Sequence, residues 1–154
     1  AAEVGVQAGA LYTYTPDKQT LLFSLMHDHM TELLTEWGQF VCETDPLARL
    51  MEFVRCHLDY HLPRREAVFI SYMELRNLNE ENFATIENLR KSYEDRLEEI
   101  VQTGMTQGVF LVSDSKIATM AVIGLLKETS TWYRPDGRLS ACNSVFCNFI
   151  RYKY

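Results

Sequence analysis

Residues 79–104 read NEENFATIENLRKSYEDRLEEIVQTG, and this stretch decides the fold class. Asn79 is a helix-capping residue type, and Glu80 and Glu81 follow it in the first turn, where negative charge suits the helix dipole. Phe83, Ile86, Leu89, Tyr93, Leu97 and Ile100 then recur at helical spacing and form one apolar stripe. Glu87, Arg90, Lys91, Glu94, Asp95, Arg96, Glu98 and Glu99 fill the opposite face, a solvated helix surface. Gly104 is the expected stop.

The chain reads the same way on either side. Downstream, the segment Ser113–Trp132 is helical but differently composed. After Lys116 the run Ile117–Leu126 carries no charge, and apolar residues fall on more than one face. Ala118, Ala121 and Gly124 are small enough to let another helix approach, so one side of this helix is expected to be a subunit interface, with Leu125 beside them. Pro135-Asp136-Gly137 breaks the chain, and a last helix is expected from Ser140 through Cys142, Val145, Phe146 and Phe149. Upstream, Leu22, Leu25, Met26, His29, Leu33, Trp37 and Phe40 mark a helix from about Lys18 to Cys42, with Asp28, Glu32 and Glu36 facing away. Asp45-Pro46 opens another, running to about His61 and burying Leu47, Leu50, Phe53, Val54 and Leu58 before Pro63 stops it. A short helix over about Arg64–Arg76 carries Val68, Phe69, Tyr72, Met73 and Leu75. No segment reads as a strand, and the expected class is all-α.

Composition limits what such a fold does. The chain has 154 residues, 47% of them hydrophobic, and a net charge of −6. That charge argues against nucleic-acid binding over the whole surface but permits it through one small element. No apolar run is long enough to span a bilayer, and no signal peptide is visible. Cys42, Cys56, Cys142 and Cys147 show no C-x-x-C spacing and read as reduced thiols of a cytoplasmic protein. His57 and His61 share one face of a helix, but no H-E-x-x-H pattern accompanies them, while His27 and His29 point different ways, so no metal site is assigned. A histidine metalloprotein is a third reading. Glu74, Glu80 and Glu81 have no evident catalytic partner, and no phosphate loop or nucleophile motif appears; no enzyme and no cofactor are expected. A pocket between helices takes apolar and aromatic residues with a few polar groups, a description that fits Phe53, His57, Tyr60, Phe69, Tyr72, Met73 and Trp132.

Residues 1–22, AAEVGVQAGALYTYTPDKQTLL, carry the sharpest signal. They read as the end of one helix, a turn at Gly5, a short helix over about Gln7–Tyr14, and the start of the long helix at Asp17-Lys18. In a helix-turn-helix the second helix lies in the major groove. Gln7 suits bidentate pairing with adenine and Ala8 a thymine methyl, while Leu11 packs and Tyr12 and Tyr14 offer hydroxyls to phosphates. Lys18 in the first turn of a helix opposes the macrodipole unless an anion sits there, and a phosphate would be such an anion.

The turn glycine, the Gly9-Ala10-Leu11-Tyr12 core and the Tyr14-x-Pro16-x-Lys18 join together resemble the second half of the TetR-family helix-turn-helix and its connecting helix. Thr15 stands where the family usually has an aromatic, and the family's first helix and most of its second would lie upstream of Ala1. Over roughly residues 45–140, including Phe69-Ile70-Ser71-Tyr72-Met73-Glu74-Leu75-Arg76 and Trp132-Tyr133-Arg134-Pro135, the body is similar to the effector domain of a TetR subgroup. That subgroup regulates lipid and steroid catabolism, and several members respond to acyl-CoA thioesters. Past Ser140 the tail departs from the acidic, helix-forming pattern of the family.

The resemblance implies a TetR-like helical bundle, with a partial helix-turn-helix over residues 1–22 and an effector-binding and dimerisation domain over 23–154. It implies a homodimeric repressor that binds operator DNA, provided the upstream helices exist, and is released by a hydrophobic effector such as an acyl-CoA. Arg55, Arg64, Arg65 and Arg76 are then candidates for phosphate groups at the pocket mouth. Ala118, Ala121, Gly124, Leu125, Val145 and Phe149 are the expected interface. The alternative is a helical ligand-binding and dimerisation module that does not bind DNA.

Overall fold

A computed structural model describes residues 17–40, 45–134 and 136–137. Every regular element among them is helical: α1 (Lys18–Gly38), α2 (Pro46–His61), α3 (Arg65–Met73), α4 (Glu80–Thr106) and α5 (Ser115–Trp132), with short 3-10 turns at Leu62–Arg64 and Leu75–Asn77. The starts are set by local chemistry. Asp17, Asp45, Asn79 and Asp114 each accept a hydrogen bond from a first-turn amide, at 2.7, 2.8, 2.9 and 2.9 Å. Each cap satisfies an amide that the helix itself leaves unpaired.

Helix α4 is the centre of the bundle and packs against α1, α2 and α5. Its inward stripe, Ile86, Tyr93, Leu97, Ile100 and Val101, is buried. The main core joins Tyr93, Leu97, Ile100 and Val101 to Leu33 and Trp37 of α1, Phe53 and Val54 of α2 and Leu126 of α5. Phe53 sits at its heart, with its ring stacked on Tyr93 at 4.8 Å and edge-on to Trp37 at 5.1 Å. A smaller cluster of Leu22, Met26, Leu78 and Ile86 seals the end where α1 begins. There the Gln19 amide holds the approach to α4: its Nε2 donates to the Asn77 carbonyl, and its Oε1 accepts from the Asn79 amide at 2.9 Å.

Three boundaries differ from expectation. Helix α1 ends at Gly38 rather than near Cys42. Pro63 does not end the helical path; it occupies the first turn of the Leu62–Arg64 segment, where its missing amide costs nothing, and α3 follows directly. Gly104 lies inside α4, which runs on to Thr106; the left-handed residue is Gly108, at φ +70°. From Gly108 the chain folds back so that the amides of Val109 and Phe110 donate to the Gly104 carbonyl at 2.8 and 3.1 Å. The division expected at residues 22/23 falls inside α1, so the two regions share one continuous helix. The final helix expected from Ser140 lies outside the described residues. Among the described residues no helix is long and apolar enough to cross a membrane.

Candidate effector cavity

The helices line a cavity of about 270 Å³. Helix α1 lines it with Met26, His29, Met30 and Leu33, α2 with His57 and His61, and α3 with Ser71 and Tyr72. Helix α4 adds Ile86, Arg90, Tyr93 and Glu94, and α5 adds Met120, Ile123, Gly124 and Lys127. Beside it runs a wider groove of about 800 Å³ between α3 and α5, lined by Arg65, Phe69, Met73 and Thr131 among others. Tyr72 and Lys127 belong to both walls. The Tyr72 ring is held between two cations, the Arg90 guanidinium at 4.9 Å and the Lys127 ammonium at 4.6 Å from its centroid.

The polar part of the cavity is a histidine cluster. The His57 and His61 rings stack with centroids 3.9 Å apart, and His29 meets His61 edge-on at 5.1 Å. His61 Nδ1 donates to the His57 carbonyl at 2.8 Å, and His57 Nδ1 lies 3.1 Å from the Tyr93 hydroxyl. Burial, then the nearby Arg64 guanidinium, lowers the His29 pKa to about 4. Burial, then His29, lowers that of His61 to about 3. Burial and the neighbouring His61 hold His57 well below its ordinary value. At neutral pH the cluster is uncharged, which suits an apolar chamber. Among the described residues no group of three or more His, Cys, Asp or Glu side chains is placed to hold a metal ion.

The expected pocket residues divide between chamber, groove and core. His57 and Tyr72 line the cavity, and Phe69 and Met73 line the groove, where they are 64% and 51% exposed. Phe53 is not a wall residue: it is wholly buried beneath Tyr93 in the core. Tyr60 is turned away by its hydroxyl, which donates to Glu32 Oε2 at 2.9 Å. Trp132 ends α5 on a partly exposed surface and lines neither space. Of the arginines, Arg65 borders the groove, whereas Arg64 covers the Tyr60 ring at 4.1 Å and Arg55 lies beside Asp59 at 3.8 Å. Arg76 lines neither the cavity nor the groove.

Sequence reasoning missed Met30, Ser71, Arg90, Tyr93 and Lys127 as wall residues. The charge pattern puts Arg90 on the solvated face of α4, but it turns inward because the Ser71 carbonyl and the Tyr72 ring engage it. Its placement just after Leu89 in the apolar stripe is the available signal.

Of the expected interface residues, Ala118 packs half-buried against its own core, Gly124 borders the cavity, and Ala121 and Leu125 are exposed. Val145 and Phe149 lie outside the described residues, as do Gln7, Ala8, Leu11, Tyr12 and Tyr14. Lys18 is described: the anion beside it is the Glu74 carboxylate, 3.6 Å away.

A family model for the tetracyclin repressor-like C-terminal domain matches residues 43–143. The chain belongs to the TetR family. This match spans α2 to α5 and so includes most of the cavity wall. A fatty acid metabolism regulator protein of Bacillus subtilis (strain 168) is 24% identical over 151 residues, covering 94% of this chain and 78% of the relative. The solved TetR-family regulator PfmR of Thermus thermophilus superimposes with a TM-score of 0.78 at 27% identity, over 90% of this chain and 76% of its own. AibR, solved in complex with isovaleryl coenzyme A and operator DNA, gives a TM-score of 0.75 at 26% identity, over 92% of this chain and 77% of its own. The all-α TetR bundle expected from the sequence is thus the observed fold.

Proposed function

We propose that this TetR-family chain is a ligand-responsive transcriptional repressor that is released from operator DNA by an apolar effector, an acyl-CoA thioester being the class best supported. The carrying observation is the pair of spaces that share Tyr72 and Lys127: a cavity with mostly apolar walls and a wider groove bordered by Arg65. An acyl chain suits the chamber, and cations suit the phosphates of a thioester head group. The AibR complex supports the class of ligand, and the Bacillus subtilis relative supports lipid chemistry.

In this reading residues 1–22 contribute to the DNA-reading element and residues 23–154 sense the effector and form a cytoplasmic homodimer. Helix α1 is the lever between them. It lines the chamber through Met26 and His29, while its first turn is tied to the α3–α4 corner by Lys18–Glu74 and Gln19–Asn77. An effector that shifts α3 changes the spacing of the two reading heads, and so favours the DNA-free population.

Octanoyl-CoA at a hundredfold excess over its dissociation constant should stabilise the fold by about 2.7 kcal/mol, a rise in melting temperature of roughly 5–10 °C. Free acids and divalent metals should give less. A zinc response abolished by His57→Ala, with no response to any thioester, would overturn the effector reading. For DNA, Lys18→Ala in a chain carrying both helices of the motif should weaken binding alike for all sequences. It should also flatten the salt dependence by about one phosphate contact. An unchanged salt slope would leave Glu74 as the sole partner of Lys18 and favour the alternative of a module that does not bind DNA.

A further inference from the structure

Three polar atoms of residues in the cavity wall have no hydrogen-bonding partner among the described residues: His29 Nδ1, His57 Nε2 and Ser71 Oγ. Their residues are only 7%, 2% and 5% exposed, and they come from three different helices, α1, α2 and α3. Native interiors rarely leave such atoms unpaired, and here three belong to residues that line one cavity. The other such atom, Thr119 Oγ1, belongs to a residue that does not line the cavity.

We propose that His29, His57 and Ser71 form a subsite for one uncharged oxygen, a hydroxyl or a carbonyl, carried on the apolar body of the effector. This deepens the effector reading above and rests on it. The Tyr93 hydroxyl engages His57 Nδ1 at 3.1 Å and leaves Nε2 as the ring's remaining polar atom. A neutral imidazole offers a donor or an acceptor according to its tautomer, and the Ser71 hydroxyl offers both. The set therefore satisfies a carbonyl, which only accepts, or a hydroxyl, which does both.

A carboxylate fits poorly. The charged and titratable groups around the subsite are Glu32, His61, Arg64, Tyr72, Arg90, Tyr93, Glu94 and Lys127. Arg90 is already engaged by the Ser71 carbonyl at 3.1 Å, Glu87 at 3.7 Å and the Tyr72 ring. Arg64 donates to the Tyr60 carbonyl at 3.0 Å, and Lys127 borders the groove, where the head group would engage it. Burial keeps the histidines themselves neutral.

The test uses the full chain labelled at the methionine methyls and the histidine ring nitrogens, titrated with 1-octanol, 2-octanone, 1-octene and octanoate. Met26, Met30 and Met120 line the chamber and report filling, while His29 and His57 report the oxygen. The alcohol and ketone should bind roughly three- to tenfold tighter than the alkene and should move the His29 or His57 ring signals, which the alkene should not. Ser71→Ala and His57→Leu should each reduce that advantage. If His57→Leu does not fold, Ser71→Ala and the wild-type ring signals decide the matter. Equal affinities with unmoved rings would overturn the subsite and leave the effector reading standing. Tightest binding by octanoate with proton uptake would overturn the neutral oxygen. Methionine signals unmoved by all four probes, and by octanoyl-CoA, would overturn both.

Discussion

Helices α4 and α5 lie side by side, yet they treat solvent in opposite ways. Helix α4 buries one stripe and turns Lys91, Asp95, Arg96 and Glu99 outward, away from that stripe. Helix α5 buries Thr119, Leu126 and Thr129, and leaves Ile117 71%, Leu125 46% and Trp132 43% exposed. The charged face of α4 is finished by solvent alone. The outer face of α5 is an apolar surface that the described residues leave uncovered, the character a subunit interface would need. Both are regular helices, of 27 and 18 residues, and it is their outer residues that differ in kind, charged on α4 and apolar on α5.

The strongest way to break this comparison is a charge on each outer face. Ala121→Glu should leave the single chain folded, because Ala121 is exposed, and weaken dimerisation by about 3–5 kcal/mol through an unpaired charge at the interface. Glu99→Lys on α4 should change either quantity by no more than about 0.5 kcal/mol. Sedimentation equilibrium measures association and urea unfolding measures stability, and an undisturbed Ala121→Glu dimer moves the interface off α5. A wild-type monomer removes the contrast altogether. Next in size is a matched pair of leucines. Leu97 is fully buried on α4, so Leu97→Ala should cost about 2–5 kcal/mol of folding stability. Leu125→Ala should cost the isolated chain under about 1 kcal/mol and act on association instead. Urea unfolding at low protein concentration separates the two, and equal losses would mean that α5 is covered within one chain.

Acid should distinguish the helices in another way. The inner face of α4 carries Tyr93 against His57, while the buried residues of α5 do not titrate. His29 titrates at about 4 in the fold and near 6.5 when unfolded, so the unfolded chain binds the proton first. Stability is then complete above about pH 6.5 and falls as pH drops towards 4, by about 1.4 kcal/mol per unit for each such histidine. His29→Gln should remove one proton's share of that slope. An acid limb unchanged in this variant would show that His29 does not stay neutral in the fold.

Legibility followed the range of the interactions. Caps at Asp45 and Asn79 and the stripe of α4 depend on neighbours a few residues away, so spacing alone located them. The chamber did not follow from spacing, because its walls come from five helices. Phe53 and Tyr93 are both core aromatics, yet only Tyr93 also reaches the cavity wall, a distinction fixed by how α2 meets α4. Ser71 carried no apolar signal at all, and Lys127 lay beyond the uncharged run that marks α5. Lys18 lies 3.6 Å from Glu74, which comes from a turn distant in sequence and so gave no signal in local spacing.

The smallest effect sharpens the comparison furthest, because it places the same substitution on each helix. A Cβ at Gly104 of α4 would strike the Phe110 ring, coming within 2.8 Å of its Cγ, whereas one at Gly124 of α5 meets nothing within 4 Å. The difference follows from the turn at Gly108, which brings Phe110 back onto Gly104 through two hydrogen bonds to its carbonyl. Overpacking costs about 1–3 kcal/mol, and alanine in a helix interior returns up to about 1 kcal/mol over glycine. Gly104→Ala should therefore lower stability by about 1–2 kcal/mol at any protein concentration. Gly124→Ala should raise the stability of the isolated chain by up to about 1 kcal/mol. If α5 meets its partner at Gly124, that gain should shrink or reverse at concentrations where the dimer forms, since the added methyl then holds the helices apart. Thermal unfolding at two protein concentrations reads the difference. A gain independent of concentration would place the contact elsewhere on α5, at Ala121 and Leu125, and leave Gly124 to the chamber alone.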